Sequence, residues 1–384
     1  MAVSTSIKTN STLIGRGDDP YSNSTLVITN TILASIVCLI TIIGVLGNSF
    51  VILLVSLSRQ LQTVTNVFVV SLTLSDLIGC GMQSLQAVAL LHLKGWPLPE
   101  WVCQMTGGVL LIAFKASIVH LALISVDRFM VITRPRNRYM EIYNRRNVFV
   151  MVASAWLCPL FFIVLPPALG FGRLGYNAAN HFCTFDGNEF QVRIVYVIEE
   201  VLFVTTFLII STCYLKIFIY VKTQHHNLLK LFKNNSGMSM APEQSEIKMR
   251  MIIDKREVEI TKNLFIVVCG FFACILPNTL CVLTEKCYLK YFKVTAVVYS
   301  INSCINPFIY CFKQPLFRQI SLSVFQCRWS EIPKLSPWLQ RIITAKRPTD
   351  EIMTGEDFPN SSSMTTDRST SMAATSSASI AQLQ

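Results

Sequence analysis

Apolar positions in this chain come in seven long runs, at about 31–57, 64–91, 102–133, 148–170, 193–221, 258–284 and 290–312, separated by polar stretches. Each run reaches the roughly 20 residues that a helix needs to cross a hydrocarbon core about 30 Å thick. Backbone N–H and C=O groups inside lipid must be satisfied within the segment, so the runs predict helices. The pattern predicts an all-α membrane protein: a seven-transmembrane helix bundle over 31–312, preceded by a polar tail over 1–30. After the last run, 313–327 reads as a short amphipathic helix 8 and 328–384 as a disordered tail.

Composition agrees, since 52% of the residues are hydrophobic and only 14% charged. A net charge of +11 would suit a nucleic-acid partner, but the basic residues fall in loops. Arg134, Arg136, Arg138, Arg145 and Arg146 lie between runs three and four, and Lys248, Arg250, Lys255 and Arg256 lead into run six. Cytoplasmic loops carry such an excess, facing anionic lipid, so membrane lipid and no nucleic acid is the expected partner. The first 30 residues hold two glycosylation sequons, at Asn10 and Asn23, which matter only if that end is extracellular. The expected location is the plasma membrane, multi-pass, with the N-terminus outside. The run from Thr31 to Leu57 is too long for a cleavable signal peptide and is expected to act as the insertion signal.

Thirteen cysteines are scattered along the chain. Cys103, at the outer start of helix three, and Cys183, in the second outer loop, fall where an oxidising exterior would join them; the alternative is two unrelated thiols. Cys327, just past the amphipathic stretch, is placed for palmitoylation.

Asn48 in GVLGNSF, Asp76 in SLTLSDL, Asp127-Arg128-Phe129, Trp156, Tyr214, Pro277 and the NPFIY run from Asn306 to Tyr310 occur in order along residues 30–327. Together they resemble the rhodopsin-like class (class A) of G-protein-coupled receptors. The GFGRLGY and CTFD stretches of the second outer loop are similar to the melatonin-receptor and opsin-type branches. The resemblance implies a receptor without catalysis or a cofactor, coupled to a heterotrimeric G protein and driven by an extracellular ligand.

An acidic side chain inside a membrane helix costs about 2.5–3.5 kcal/mol, so Asp76 should face a wet interior with partners. The resemblance implies that Asn48, Ser117, Asn302, Ser303 and Asn306 surround it and that the cluster holds a sodium ion; a water-filled polar plug is the other reading. Arg128 should be held by Asp127 and, across the bundle, by Glu257, unless Glu257 belongs to a solvated mixed-charge stretch. Tyr214 and Tyr310 resemble the pair that closes on this arginine in the active state.

At 100° per residue, Ser117 lies within about 20° of Arg128 on helix three, and Leu110 on the same line, facing the outer pocket. Receptors for protonated amines resemble one another in carrying Asp at that position, so Leu110 argues against a typical monoamine ligand. Lys115 sits about 18 Å below Cys103, too deep to snorkel easily. Its phase points it toward helices four and five, where Glu199 and Glu200 lie at a similar depth. An ion pair with one of the two is expected, since neighbouring helix positions diverge by about 100°, and the family resemblance implies Glu199; the competing reading makes Lys115 the counter-charge of an acidic ligand. The expected pocket lies among Leu110, Phe114, Lys115, Glu199, Phe203, Asn278 and Tyr299.

Two positions depart from the family pattern. Ile275 replaces the aromatic residue expected before Pro277, and Thr206 replaces the usual helix-five proline, so raised basal activity is expected. Pro277 should still kink helix six. The lysine that carries retinal in opsins is replaced by Ser300, six residues before Asn306. A non-visual opsin-related sensor without covalent retinal remains an alternative, as does an ion- or proton-coupled transporter using Lys115, Glu199 and Asp76, although no internal repeat is visible. The tail carries twelve Ser or Thr between Ser361 and Ser379. Phosphorylation there would build a patch for arrestin, the alternative being an inert tail.

Overall fold

The computed structural model describes residues 20–234 and 242–345, with the backbone alone over 20–23, 228–234, 242–257 and 342–345 and at a few positions between. Among these residues seven helices are long and apolar enough to span a membrane. Helix one is Pro20–Leu57, two Val64–Leu91, three Glu100–Thr133, four Arg145–Ala168, five Glu189–Asn234 and six Pro242–Leu283. Helix seven comes in two pieces, Glu285–Ser300 and Asn302–Lys313, and helix eight is Pro315–Phe325. Leu46, Phe149 and Leu157 stand 67%, 73% and 61% exposed, as lipid-facing side chains must.

Local chemistry sets the helix ends. Thr63 accepts the amide of Asn66 at 3.3 Å to start helix two, and Asn144 accepts that of Asn147 at 3.0 Å to start helix four. Pro307 has no N–H to offer the carbonyl of Ser303; Asn48 on helix one supplies a donor instead, at 2.8 Å. Helices one and two approach closely at Gly44, where a Cβ would overlap the Cys80 sulfur. The Trp156 indole binds helix four to helix two through Ser71 Oγ at 3.1 Å.

A two-stranded antiparallel hairpin connects helices four and five, with strands β1 Arg173–Asn177 and β2 Phe182–Asp186 in the register Arg173 to Asp186 and Tyr176 to Cys183. The Cys103–Cys183 disulfide ties it to helix three. Gln86 of helix two clamps the same residue, accepting the Cys183 amide at 2.9 Å and donating to its carbonyl at 2.7 Å. This hairpin forms the lid of the bundle at the disulfide end.

Two segment boundaries need correction. The polar tail expected over 1–30 is helical from Pro20; its hydroxyls fold back on the helix, Thr29 to Thr25 O and Thr31 to Val27 O at 2.8 Å each. The tail expected to be disordered from 328 is instead ordered at its start. Ser336 N donates to Leu57 O at 2.9 Å, Arg59 N to Lys334 O at 2.9 Å and Trp338 Nε1 to Ser56 O at 3.2 Å. Ile332 is buried in the same core cluster as Leu61. These apolar groups give the strap surface to bury, which the Ser/Thr-rich remainder lacks. Ile332→Ala should cost about 2 kcal/mol or more and lower the melting temperature of the purified receptor; unchanged melting would show the strap idle.

Candidate ligand pocket and signalling site

Below the hairpin, helices one, two, three, five, six and seven line a cavity of about 70 Å³. Its walls include Leu110, Phe114, Lys115, Glu199, Asn278 and Tyr299, all expected from the sequence. Phe114 and Tyr299 meet edge to face with ring centres 4.7 Å apart. Phe203 is not in the wall, contrary to expectation: its ring packs at 5.9 Å against Phe272, in the apolar core nearer Arg128. The hairpin adds Phe182, Cys183 and Thr184, and Thr184 shares a 3.2 Å hydrogen bond with Tyr196 of helix five. Ser300 lines the cavity too, with its hydroxyl turned back to Ala296 O at 2.9 Å.

The charges are buried together. Lys115 is 8% exposed and Glu199 2%. The Lys115 ammonium lies 3.8 Å from Glu199 Oε2 and 3.9 Å from Glu200 Oε1. The expectation of one glutamate partner thus gives way to two, because the long lysine stem rises between adjacent helix-five positions. Glu199 Oε1, Glu200 Oε2 and both amide atoms of Gln83 are buried without hydrogen-bond partners among the described residues.

Midway along the bundle, Asp76 accepts from Ser117 Oγ at 2.7 Å and from Asn306 Nδ2 at 2.7 Å, and Ser75 joins through Ser117 at 2.9 Å. Asn48 turns to Gly44 O and Ser303 O instead of to the carboxylate. Asn48 Oδ1 and Ser303 Oγ are buried and unpartnered, and Asn302 is buried beside them in sequence. Carboxylate, hydroxyl and amide oxygens of this kind are donors that suit a hard cation. Among the described residues there is no group of three or more His, Cys, Asp or Glu able to hold a metal.

At the opposite end, Arg128 is 6% exposed and donates to Asp127 Oδ2 from Nη2 at 2.7 Å and from Nε at 3.1 Å. Thr65 of helix two donates to the same carboxylate oxygen at 2.6 Å and also accepts from Arg128. Tyr139, in the short helix Arg136–Ile142, donates to Asp127 Oδ1 at 2.9 Å. Burial first, then the Asp127 carboxylate, push the Tyr139 phenol well up, so it stays a donor. The Glu257 side chain lies outside the described residues, as do Asn10 and the side chain of Asn23. Tyr214, beside Ser125, and Tyr310 are buried with hydroxyls that make no hydrogen bond of normal geometry. Pro277 lies inside the continuous helix six, six positions beyond Phe271, which is buried. Cys327 is exposed just past helix eight.

The model of the 7 transmembrane receptor (rhodopsin family) matches residues 47–310. The chain belongs to the rhodopsin family of seven-transmembrane receptors. Its relatives include the allatostatin-A receptor of Bombyx mori, 25% identical over 75% of this chain and 78% of that receptor. The melatonin receptor type 1B-A of Danio rerio is 31% identical over 50% of this chain and 65% of its own. The crystal structure of squid rhodopsin shares the fold, with a TM-score of 0.67 at 22% identity over 84% of this chain and 92% of that one.

The receptor is therefore a multi-pass membrane protein and not an enzyme, and its family implies a G-protein partner and an extracellular ligand. Sequence reasoning missed Gln83, Thr65 and Tyr139. Gln83 lies about two turns from Asp76, and such a polar residue in an apolar run could have signalled a pocket; nothing local marks Thr65 or Tyr139 as partners of Asp127.

Proposed function

We propose that this receptor sits in the plasma membrane with its N-terminus and hairpin outside, binds a small extracellular ligand in the cavity around Lys115, and passes the signal through Asp76 to Arg128. The observation that carries this reading is the pairing of a lidded cavity at one end with a caged Arg128 at the other. Held by Asp127 and Thr65, with Tyr139 bracing the Asp127 carboxylate, the guanidinium is withdrawn; an active bundle releases it toward a heterotrimeric G protein, a population shift between two packings. Tyr214 and Tyr310 carry unspent hydroxyls that such a rearrangement can engage. Leu110 leaves the helix-three side of the cavity wall without an acid for a monoamine, and Ser300 has no amine for retinal.

Asp76, Ser117, Asn306, Asn48 and Ser303 would hold a sodium ion, which would favour the resting packing by neutralising the carboxylate. The Ser/Thr-rich tail would recruit arrestin once phosphorylated, and Cys327 beside the apolar face of helix eight would take a lipid anchor. Asn10 and Asn23 would carry glycans.

Ligand-independent activation of each G-protein class tests the reading, with the native chain beside Arg128→Ala and Asp76→Asn at matched surface levels. The expected result is a basal signal that Arg128→Ala abolishes. A basal signal that survives Arg128→Ala would sink the proposed switch.

A further inference from the structure

The charged cluster in the cavity does not balance. Two carboxylates, Glu199 and Glu200, face one ammonium, Lys115, and no other charged side chain among the described residues lines the cavity. The ammonium stands 3.8 and 3.9 Å from them, longer than a close charge-assisted hydrogen bond of about 2.7–2.9 Å. One oxygen of each carboxylate is left buried and unpartnered. A buried carboxylate oxygen without a donor is costly, and the cost is greatest in a low-dielectric site. Such a site is incomplete until something brings positive charge and N–H donors to it.

We propose that the pocket takes a ligand bearing one positive charge, an ammonium, amidinium or guanidinium, which donates to the free oxygens of Glu199 and Glu200 on helix five. Counted as formal charges the surplus is negative, which sets the sign and disfavours an acidic ligand. Lys115 is then an internal counter-ion that keeps two adjacent glutamates from repelling each other. The rest of the ligand is apolar and ring-sized, because Phe114 and Tyr299 flank the charges, and the cavity has room for only about five water-sized groups. Gln83, with both amide atoms free, offers a further polar contact. The anchor stands on helix five, so the leucine at 110 is no obstacle.

This inference rests on the receptor reading of the cavity and is tested separately from it. Purified full-length receptor in lipid nanodiscs is titrated with matched one-ring probes: 2-phenylethylamine and benzamidine as cations, phenylacetate and benzamide as their anionic and neutral counterparts. Saturable thermal stabilisation by a cation, absent with the acid and the amide, is expected. Glu199→Gln and Glu200→Gln, made singly, each remove the surplus charge while leaving Lys115 one carboxylate partner, so the empty receptor should keep its melting temperature. Cation affinity should fall roughly 30-fold or more in each. Equal binding across the charge series, preference for the acid, no stabilisation by either cation at millimolar concentration, or a cation preference that survives both substitutions would overturn the proposal. The basal signal and its loss in Arg128→Ala need no ligand, so a receptor that couples yet shows no cation preference sinks the ligand class alone.

Discussion

Lys115→Met should destabilise the empty receptor by about 3–5 kcal/mol, because it leaves uncompensated charge inside the bundle. The ammonium is the one cation within reach of Glu199 and Glu200 among the described residues, and methionine keeps the apolar volume while removing the charge. Surface display should fall sharply. The exchanged pair Lys115→Glu with Glu199→Lys leaves two carboxylates and one ammonium in the same space, with the ammonium now on helix five and one of the carboxylates on helix three. It should recover much of the display lost in either single variant, by the logic of a double-mutant cycle. Surface labelling of these variants beside the native receptor, at equal expression, checks this. If Lys115→Met reaches the surface like the native chain, or the exchange restores nothing, the buried network does not hold helices three and five together.

The second large effect belongs to the lid. Cys183→Ser should cost about 2–5 kcal/mol, the usual range for removing a native disulfide from a small domain. The hairpin, once cut from helix three, is left with Gln86 as its main polar clamp. Packing at this contact has no slack: a Cβ at Gly107 would lie 2.8 Å from the Cys183 carbonyl oxygen and 2.9 Å from its carbon, backbone on one side and helix on the other. Gly107→Val should therefore unseat the strand even with the disulfide intact, through overpacking worth about 1–3 kcal/mol. Melting of the purified receptor, native against both variants, reads the two costs. Phe182, Cys183 and Thr184 wall the cavity, so both variants should also weaken any stabilisation by a bound ligand. A Gly107→Val receptor as stable as the native chain would mean that the hairpin can shift without loss.

Seven membrane helices were legible in the sequence because lipid imposes one rule on every residue of a span: be apolar and satisfy the backbone locally. The same rule made Asp76, Arg128 and Lys115 stand out, since ionised groups inside such runs need partners. Periodicity placed Leu110, Ser117 and Arg128 on one line of helix three and turned Lys115 toward helices four and five. Partners at long sequence separation were beyond it. Thr65 meets Asp127 across 62 positions and Gln86 meets Cys183 across 97; Asn48 reaches the Ser303 carbonyl across 255. Helical phase gives a direction but no reach, so a flexible lysine stem could span two glutamates that diverge by about 100°, and Phe203 could pack into the core instead of the cavity. The strap from Ile332 to Trp338 reads as a disordered tail until the end of helix one and the turn after it, from Ser56 to Leu61, offer it a surface. The chain by itself determined that there is a bundle, which charges are buried in it and where along each helix they lie. Only the tertiary structure decided which of them meet, because hydrogen bonds and ion pairs act over a few ångströms that the order of residues does not encode.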